Sequence, residues 1–175
     1  MRNTTLCHIE KDGCYLMLHR VKKHNDLNQD KWIGIGGKFE DKESPEECNL
    51  REVLEETGLT LNSARYCGIV TFVSDKWETE YMHIFHTYDF SGELRECEEG
   101  VLEWVEISKL YSLPIWEGDK IFFKLIEQKV PFFSLKLEYV GDTLINAVLN
   151  GYISITPLTE KRTDFSALSR IRSVK

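Results

Sequence analysis

The chain has no CxxC pair, and its five cysteines (Cys7, Cys14, Cys48, Cys67 and Cys97) are odd in number and scattered. That pattern excludes a cysteine zinc site and a disulfide framework, and implies reduced thiols in a cytoplasmic protein. No apolar run is long enough to span a membrane, so no membrane partner is expected. The start, MRNTTLCHIEKDG, lacks the apolar core of a secretory leader. Internal repeats and low-complexity segments are absent too. A basic excess is also missing: the formal net charge is -7, which argues against a nucleic-acid polymer as partner. A small anion stays compatible with that charge where metal ions and a few cations reverse the local field. What remains, 175 residues with 42% hydrophobic and 29% charged content, suits one globular domain that buries its own core.

Residues 4–9 and 14–20 read as a hairpin around the Asp12-Gly13 turn. A polar loop, 21–31, follows; Arg20 at its start, and Lys22, Lys23 and His24 within it, are candidate contacts for a phosphate or base. Trp32 to Lys38 (WIGIGGK) alternates apolar residues with glycine, a composition that permits close backbone approach. Further strands are expected at 65–73, 80–90, 102–107 and 132–140, with a hairpin partner at 143–149. Ser108 is expected to cap a short turn. A second helix, within 115–129, carries an apolar stripe of Ile121, Phe122, Leu125 and Ile126. The domain is expected to span 1–149, with a basic tail over 150–175 that includes a short helix at 165–172.

Between these strands lies the run GGKFEDKESPEECNLREVLEETGL, residues 36–59. Ser44 is the expected N-cap, Pro45 the first helical residue, and Glu47 the partner in a capping box. Gly58 is the expected C-terminal stop. Glu52, Glu55 and Glu56 share one face of this helix at i, i+3 and i+4. Three carboxylates so close repel one another and call for a hard divalent cation such as Mg²⁺. Leu50, Val53, Leu54 and Thr57 are expected to pack on the opposite, sheet-facing side. Arg51, four residues before Glu55, is placed to orient it or to pair with Glu43. Taken alone, the carboxylate triplet suits a solvated helix face better than a site, and the cap, the glycines and Arg51 lower the weight of that reading.

Taken residue by residue, this run is similar to the Nudix box, G-x5-E-x7-R-E-U-x-E-E-x-G-U, with U aliphatic. Gly37, Glu43, Arg51, Glu52, Val53, Glu55, Glu56, Gly58 and Leu59 fill every fixed position. The chain is thereby identified as a member of the Nudix hydrolases. The resemblance implies an α/β (α+β) fold, a mixed β-sheet sandwiched between helices. Flanking segments, WIGIGGK, LPIWEGD at 113–119 and FFSLKLEYVGD at 132–142, look like the MutT-type 8-oxo-dGTP diphosphatases.

That resemblance implies roles as well. Glu52, Glu55 and Glu56, with the Gly36 carbonyl, would hold Mg²⁺, for which Mn²⁺ is a substitute. Glu52 would activate water, and Glu99 would be an additional acid, preferred over Glu96 and Glu98. Gly37, Glu43, Arg51 and Gly58 would be structural. Arg20, Ile33, Lys38, Trp116 and Asp119 form the implied substrate-binding set. Ile33 stands where the animal enzymes carry an Asn, and Gly118 where they carry a second Asp. The implied activity is hydrolysis of oxidised purine nucleoside triphosphates to monophosphate and pyrophosphate, a sanitising of the nucleotide pool linked to DNA repair. The expected partner is a small nucleotide, and the enzyme is expected to be a monomer or homodimer. Alternatives are another Nudix substrate (ADP-ribose, a nucleotide sugar or a pterin triphosphate) or a non-catalytic nucleotide-sensing module.

Overall fold

A computed structural model of the chain describes residues 1–22 and 27–155. Lys23 and His24 of the polar loop, and the tail from 156 with its expected helix at 165–172, lie outside the described residues. Arg2–Lys11 (β1) and Cys14–His19 (β2) form the opening hairpin, turning at Asp12 and Gly13 with positive φ at both. Trp32–Ile33 (β3) precedes the long helix Pro45–Thr57 (α1). Thr60–Leu61 (β4), Arg65–Ser74 (β5), Glu80–Thr87 (β6), Phe90–Ser91 (β7) and Val101–Glu106 (β8) follow. Next come the short helix Ile107–Leu110 (α2) and the helix Glu117–Glu127 (α3). Phe133–Val140 (β9), Thr143–Leu149 (β10) and Ile153–Ile155 (β11) complete the order.

One mixed sheet runs β11-β10-β9-β5-β6-β1-β2-β3, with β8 pairing β2. The β1–β6 and β5–β9 pairs are parallel and the others antiparallel. Alternation along each strand gives the sheet a core on each face. In β1, Cys7 and Ile9 pack with Val53, Leu59 and Phe85 beneath α1, while Leu6 faces the α3 side. There Ile121, Phe122 and Phe123 of α3 meet Val70, Leu135 and Leu137. β11 pairs with β10 and buries Ile155, so the sheet continues past Leu149. Among the described residues no helix is long and apolar enough to cross a membrane, and all five cysteines are free thiols.

The hairpin has an unusual consequence. β1 and β2 share only two register pairs, Glu10 with Tyr15 and Lys11 with Cys14, and then diverge. The edge of β1 so exposed is taken by the glycine segment. Thr5 N–H donates to the Gly37 carbonyl at 2.8 Å, and Cys7 and Ile35 exchange hydrogen bonds of 2.6 and 3.1 Å. Gly36 has no room for a side chain, since a Cβ there would lie 2.2 Å from the Thr5 carbonyl oxygen. Gly36 is therefore required by backbone against backbone.

Two expectations are corrected. Leu50 and Leu54 do not pack on the sheet; they are 48% and 46% exposed. The buried face of α1 is Cys48, Asn49, Val53, Glu56 and Thr57. The helix is rotated so that Glu56 turns inward, towards the glycine segment in the rift, which leaves the two leucines outside. Ser108 caps nothing: α2 begins at Ile107, whose N–H donates to the Gly13 carbonyl, and its N-cap is Glu106. Docking on the hairpin turn fixes that helix start.

Candidate active site

α1 starts and stops as its residues dictate. Ser44 accepts from the Glu47 N–H at 3.2 Å while Glu47 accepts from the Ser44 N–H at 2.8 Å, closing the capping box. Gly58 takes a left-handed φ of 77° and returns its N–H to the Leu54 carbonyl. The last turn carries no basic residue of its own. Arg95 supplies the charge instead, donating to the Leu54 and Glu55 carbonyls at 2.7 and 2.6 Å. A cation there complements the negative end of the helix dipole. Nothing in the local pattern around Arg95 announces this long-range cap.

Arg51 is the hub of the carboxylate face. It donates to Glu43 at 2.6 and 2.9 Å, to Glu52 at 2.8 Å, to Glu55 at 3.1 Å and to the Lys38 carbonyl at 2.9 Å. Both readings of Arg51, as partner of Glu43 and of Glu55, are thus met by one guanidinium. The bonds from Arg51, with one from the Glu40 N–H, hold the Glu43 carboxyl down at about 2. Glu52 and Glu56 are pushed the other way, chiefly by burial. For Glu56 the value reaches about 8, despite a 3.0 Å hydrogen bond from the Gly36 N–H, with the charges of Glu99 and Glu52 adding to the rise.

A cavity of about 550 Å³ connects these groups with the start of α3. At one end it is lined by Glu52, Glu56, Glu99, Arg20, Gly36 and Gly37. Arg20 forms an ion pair with Glu99, which is the one of the three candidate acids that enters the cavity; Glu96 and Glu98 are exposed on the loop. Lys38 lines the same region, and Ile33 is buried in the wall. Trp116 and Asp119 line the cavity too, both buried. Trp116 Nε1 donates to Asn28 at 2.8 Å, Lys31 Nζ lies 4.3 Å from the centre of its ring, and Tyr139 packs edge-on against it at 5.1 Å. Burial pushes the Asp119 carboxyl up to about 8, with Lys31 opposing. A Cβ on Gly118 would sit 2.3 Å from Leu137 Cδ1 and 2.7 Å from the Tyr139 hydroxyl, which accepts the Gly118 N–H at 2.8 Å. A side chain at that position requires Leu137 and Tyr139 to shift. Asn28, Phe72, Tyr139, Arg2, Thr4 and Glu80 also line the cavity and were not among the expected site residues. For the strand residues among them the alternation was legible, but not which face would carry the cavity, whereas Asn28 lies in the turn 27–30 before β3.

Residues 2–126 match the family profile of the NUDIX domain. The chain belongs to the Nudix family. It is a MutT-type Nudix hydrolase, an enzyme acting on nucleotide diphosphate bonds, with the family's mixed sheet between helices. The oxidized purine nucleoside triphosphate hydrolase of Danio rerio is 36% identical over 112 residues, 63% of this chain and 71% of that protein. The uncharacterized Nudix hydrolase YvcI of Bacillus subtilis is 29% identical over 124 residues, 68% and 75% of the two chains. A solved MutT protein from Bacillus halodurans superimposes with a TM-score of 0.76 at 26% identity, over 86% of this chain and 98% of that one.

Nudix enzymes generally use divalent metal ions. Among the described residues no three His, Cys, Asp or Glu side chains are gathered as a preformed cage. Arg51 engages Glu52 and Glu55, while Glu56 turns to the Gly36 N–H. The chemistry of the donors nevertheless fits a hard cation: they are oxygens only, and Glu56 is buried beside Glu99 and Glu52 with its ionised form disfavoured. A divalent ion relieves that clash of like charges.

Proposed function

We propose that this Nudix hydrolase cleaves purine nucleoside triphosphates, with 8-oxo-dGTP as the lead substrate, to the nucleoside monophosphate and pyrophosphate, and that it depends on Mg²⁺. One observation carries this reading. A single cavity joins an aromatic and acidic end, Trp116 and Asp119, to a carboxylate and arginine end, Glu52, Glu56, Glu99 and Arg20. A nucleotide has the same two-ended chemistry. The name of the Danio rerio relative, an oxidized purine nucleoside triphosphate hydrolase, supports the choice of substrate class.

In this reading Glu52, Glu55 and Glu56, with the Gly36 carbonyl, hold the cation. When bound, it supplies neutralisation of the phosphoryl charge and acidification of the attacking water. The protein's own groups do the remainder. Glu52, whose carboxyl is raised above the usual carboxylate range chiefly by burial, accepts a proton from water as general base. Glu99 serves as the additional acid, and Arg20 and Lys38 hold phosphate oxygens. Trp116 stacks on the base and Asp119, largely protonated at neutral pH, donates to it. Arg51 and Glu43 hold the loop on the helix, as the hydrogen bonds between them support. Ile33 contributes an apolar wall to the base pocket.

The test is a kcat/KM panel with Mg²⁺ over 8-oxo-dGTP, dGTP, ADP-ribose and nucleotide sugars, with product analysis. The expected result is pyrophosphate release and preference for 8-oxo-dGTP. Equal rates on 8-oxo-dGTP and dGTP would defeat the sanitising assignment, and AMP from ADP-ribose as the main product would replace it.

A further inference from the structure

The cavity contains a polar group that phosphate chemistry leaves unused. Glu80 heads β6, with Arg2 of β1 as its register partner on one side and Phe72 of β5 on the other. Phe72 in turn pairs with Leu137 of β9. Arg2, Glu80, Phe72 and Leu137 therefore form one row across four strands, and all four line the cavity. Phe72 is also the ring that meets Trp116 and Tyr139, at 6.0 and 5.3 Å between centres. The row thus puts Glu80 next to the aromatic end, beside residues that suit a base.

A carboxylate on so apolar a floor is costly to desolvate unless it is held and used. It is held by one hydrogen bond and one ion pair: Thr4 Oγ1 donates to Oε1 at 2.7 Å, and Arg2 Nε lies 3.0 Å from Oε2 without the alignment of a hydrogen bond. The Glu80 side chain is only 13% exposed. Both carboxylate oxygens keep acceptor capacity, Oε1 after its bond from Thr4, and the Arg2 guanidinium, whose Nε–H has no hydrogen-bond partner among the described residues, keeps donors for a ligand. Arg2 and Glu80 together present a fork of donors beside a fork of acceptors.

We infer that Glu80, held by Thr4 and Arg2, is a specificity-determining residue that reads the 2-amino-6-oxo edge of a guanine-type base. The carboxylate accepts from ring N1–H and the 2-amino group, and Arg2 donates to the O6 carbonyl. Arginine is well matched to a carbonyl oxygen, which takes two hydrogen bonds, whereas the adenine ring nitrogen offers one lone pair. Guanine and 8-oxoguanine share this edge; adenine reverses it. The inference rests on the nucleotide-hydrolase reading of the same cavity.

The test compares wild type with Glu80→Gln on dGTP, 8-oxo-dGTP, dITP and dATP. The amide keeps the shape but sets a donor against the base's own N–H groups. The expected result is a loss of about tenfold or more in kcat/KM on dGTP and 8-oxo-dGTP, with dATP changed less than about twofold. Wild type should also prefer dGTP over dITP, which lacks the 2-amino group. If Glu80 only clips β1 to β6, all four substrates fall together, and that overturns the inference, as does an unchanged dGTP:dATP ratio. Should Glu80→Gln not fold, Arg2→Lys leaves the carboxylate in place and is expected to give the same guanine-selective loss; a uniform loss there overturns the inference. If wild type releases pyrophosphate from none of the four, the hydrolase reading fails separately. Calorimetric binding of dGMP and dAMP to wild type and variant then decides the role of Glu80 by the same ratio.

Discussion

Arg51 grips Glu43 with two prongs, Nε to Oε1 at 2.6 Å and Nη2 to Oε2 at 2.9 Å. The same guanidinium reaches the Lys38 carbonyl and two helix carboxylates, so one side chain ties the segment after the glycines to α1. A lysine cannot replace that planar fork. Arg51→Lys is expected to lower the thermal midpoint and to reduce kcat by about tenfold or more, because misplaced groups cost rate steeply. Circular-dichroism melts beside steady-state kinetics check this. A variant with wild-type kcat would show that the fork has no part in setting the site.

Glu52 offers a cleaner separation of fold from chemistry. Its side chain is 14% exposed and contacts Arg51, and an amide can keep that contact. Glu52→Gln is expected to melt close to wild type yet lose about 10²-fold or more in kcat, the usual size of a general-base contribution. Pyrophosphate release under saturating Mg²⁺ and substrate measures it. Near wild-type turnover would remove Glu52 from the proton-accepting role.

The box was legible because each of its residues acts through local rules. Ser44, Pro45, Glu47 and Gly58 are capping chemistry, and the positions of Glu43 and Arg51 fix a contact eight residues apart. The orientation of α1 was not legible from the same residues. A hydrophobic periodicity predicts leucine inside, but Glu56 is drawn inward by the Gly36 N–H, and Leu50 and Leu54 stay out. Cross-sheet relationships were invisible for a different reason. That Glu80 sits between Arg2 and Phe72, or that Arg95 caps α1, depends on strand order and loop path, which no spacing in the chain encodes.

Asp119 makes a prediction in pH. Burial raises its folded value from 3.8 to about 8. Between those values the folded protein retains a proton that the unfolded chain has released. Stability contributed by this group is therefore full below about pH 4 and is lost as pH rises towards about 8. Asp119→Asn carries no such titration. Urea midpoints at pH 5 and pH 8.5 should fall further for wild type than for the variant. Equal falls would mean that the carboxyl is ionised in the folded state at both values.

Two neighbouring glycines should fail in different ways. A Cβ on Gly36 meets the Thr5 carbonyl oxygen at 2.2 Å, in a segment hydrogen-bonded to β1, and backbone cannot swing aside. Gly36→Ala is expected to destabilise by about 1–3 kcal/mol, as overpacked positions do. A Cβ on Gly37 instead meets the Glu52 carboxyl at 2.5 Å, the far end of a side chain that can move. Gly37→Ala should therefore melt close to wild type while displacing Glu52, and lose kcat to an extent comparable with Glu52→Gln. Combining Gly37→Ala with Glu52→Gln checks the cause, because two changes acting through one carboxyl are not additive. The double variant is expected to be about as slow as either single one. Multiplied losses would mean that Gly37 acts on the reaction by some route other than Glu52.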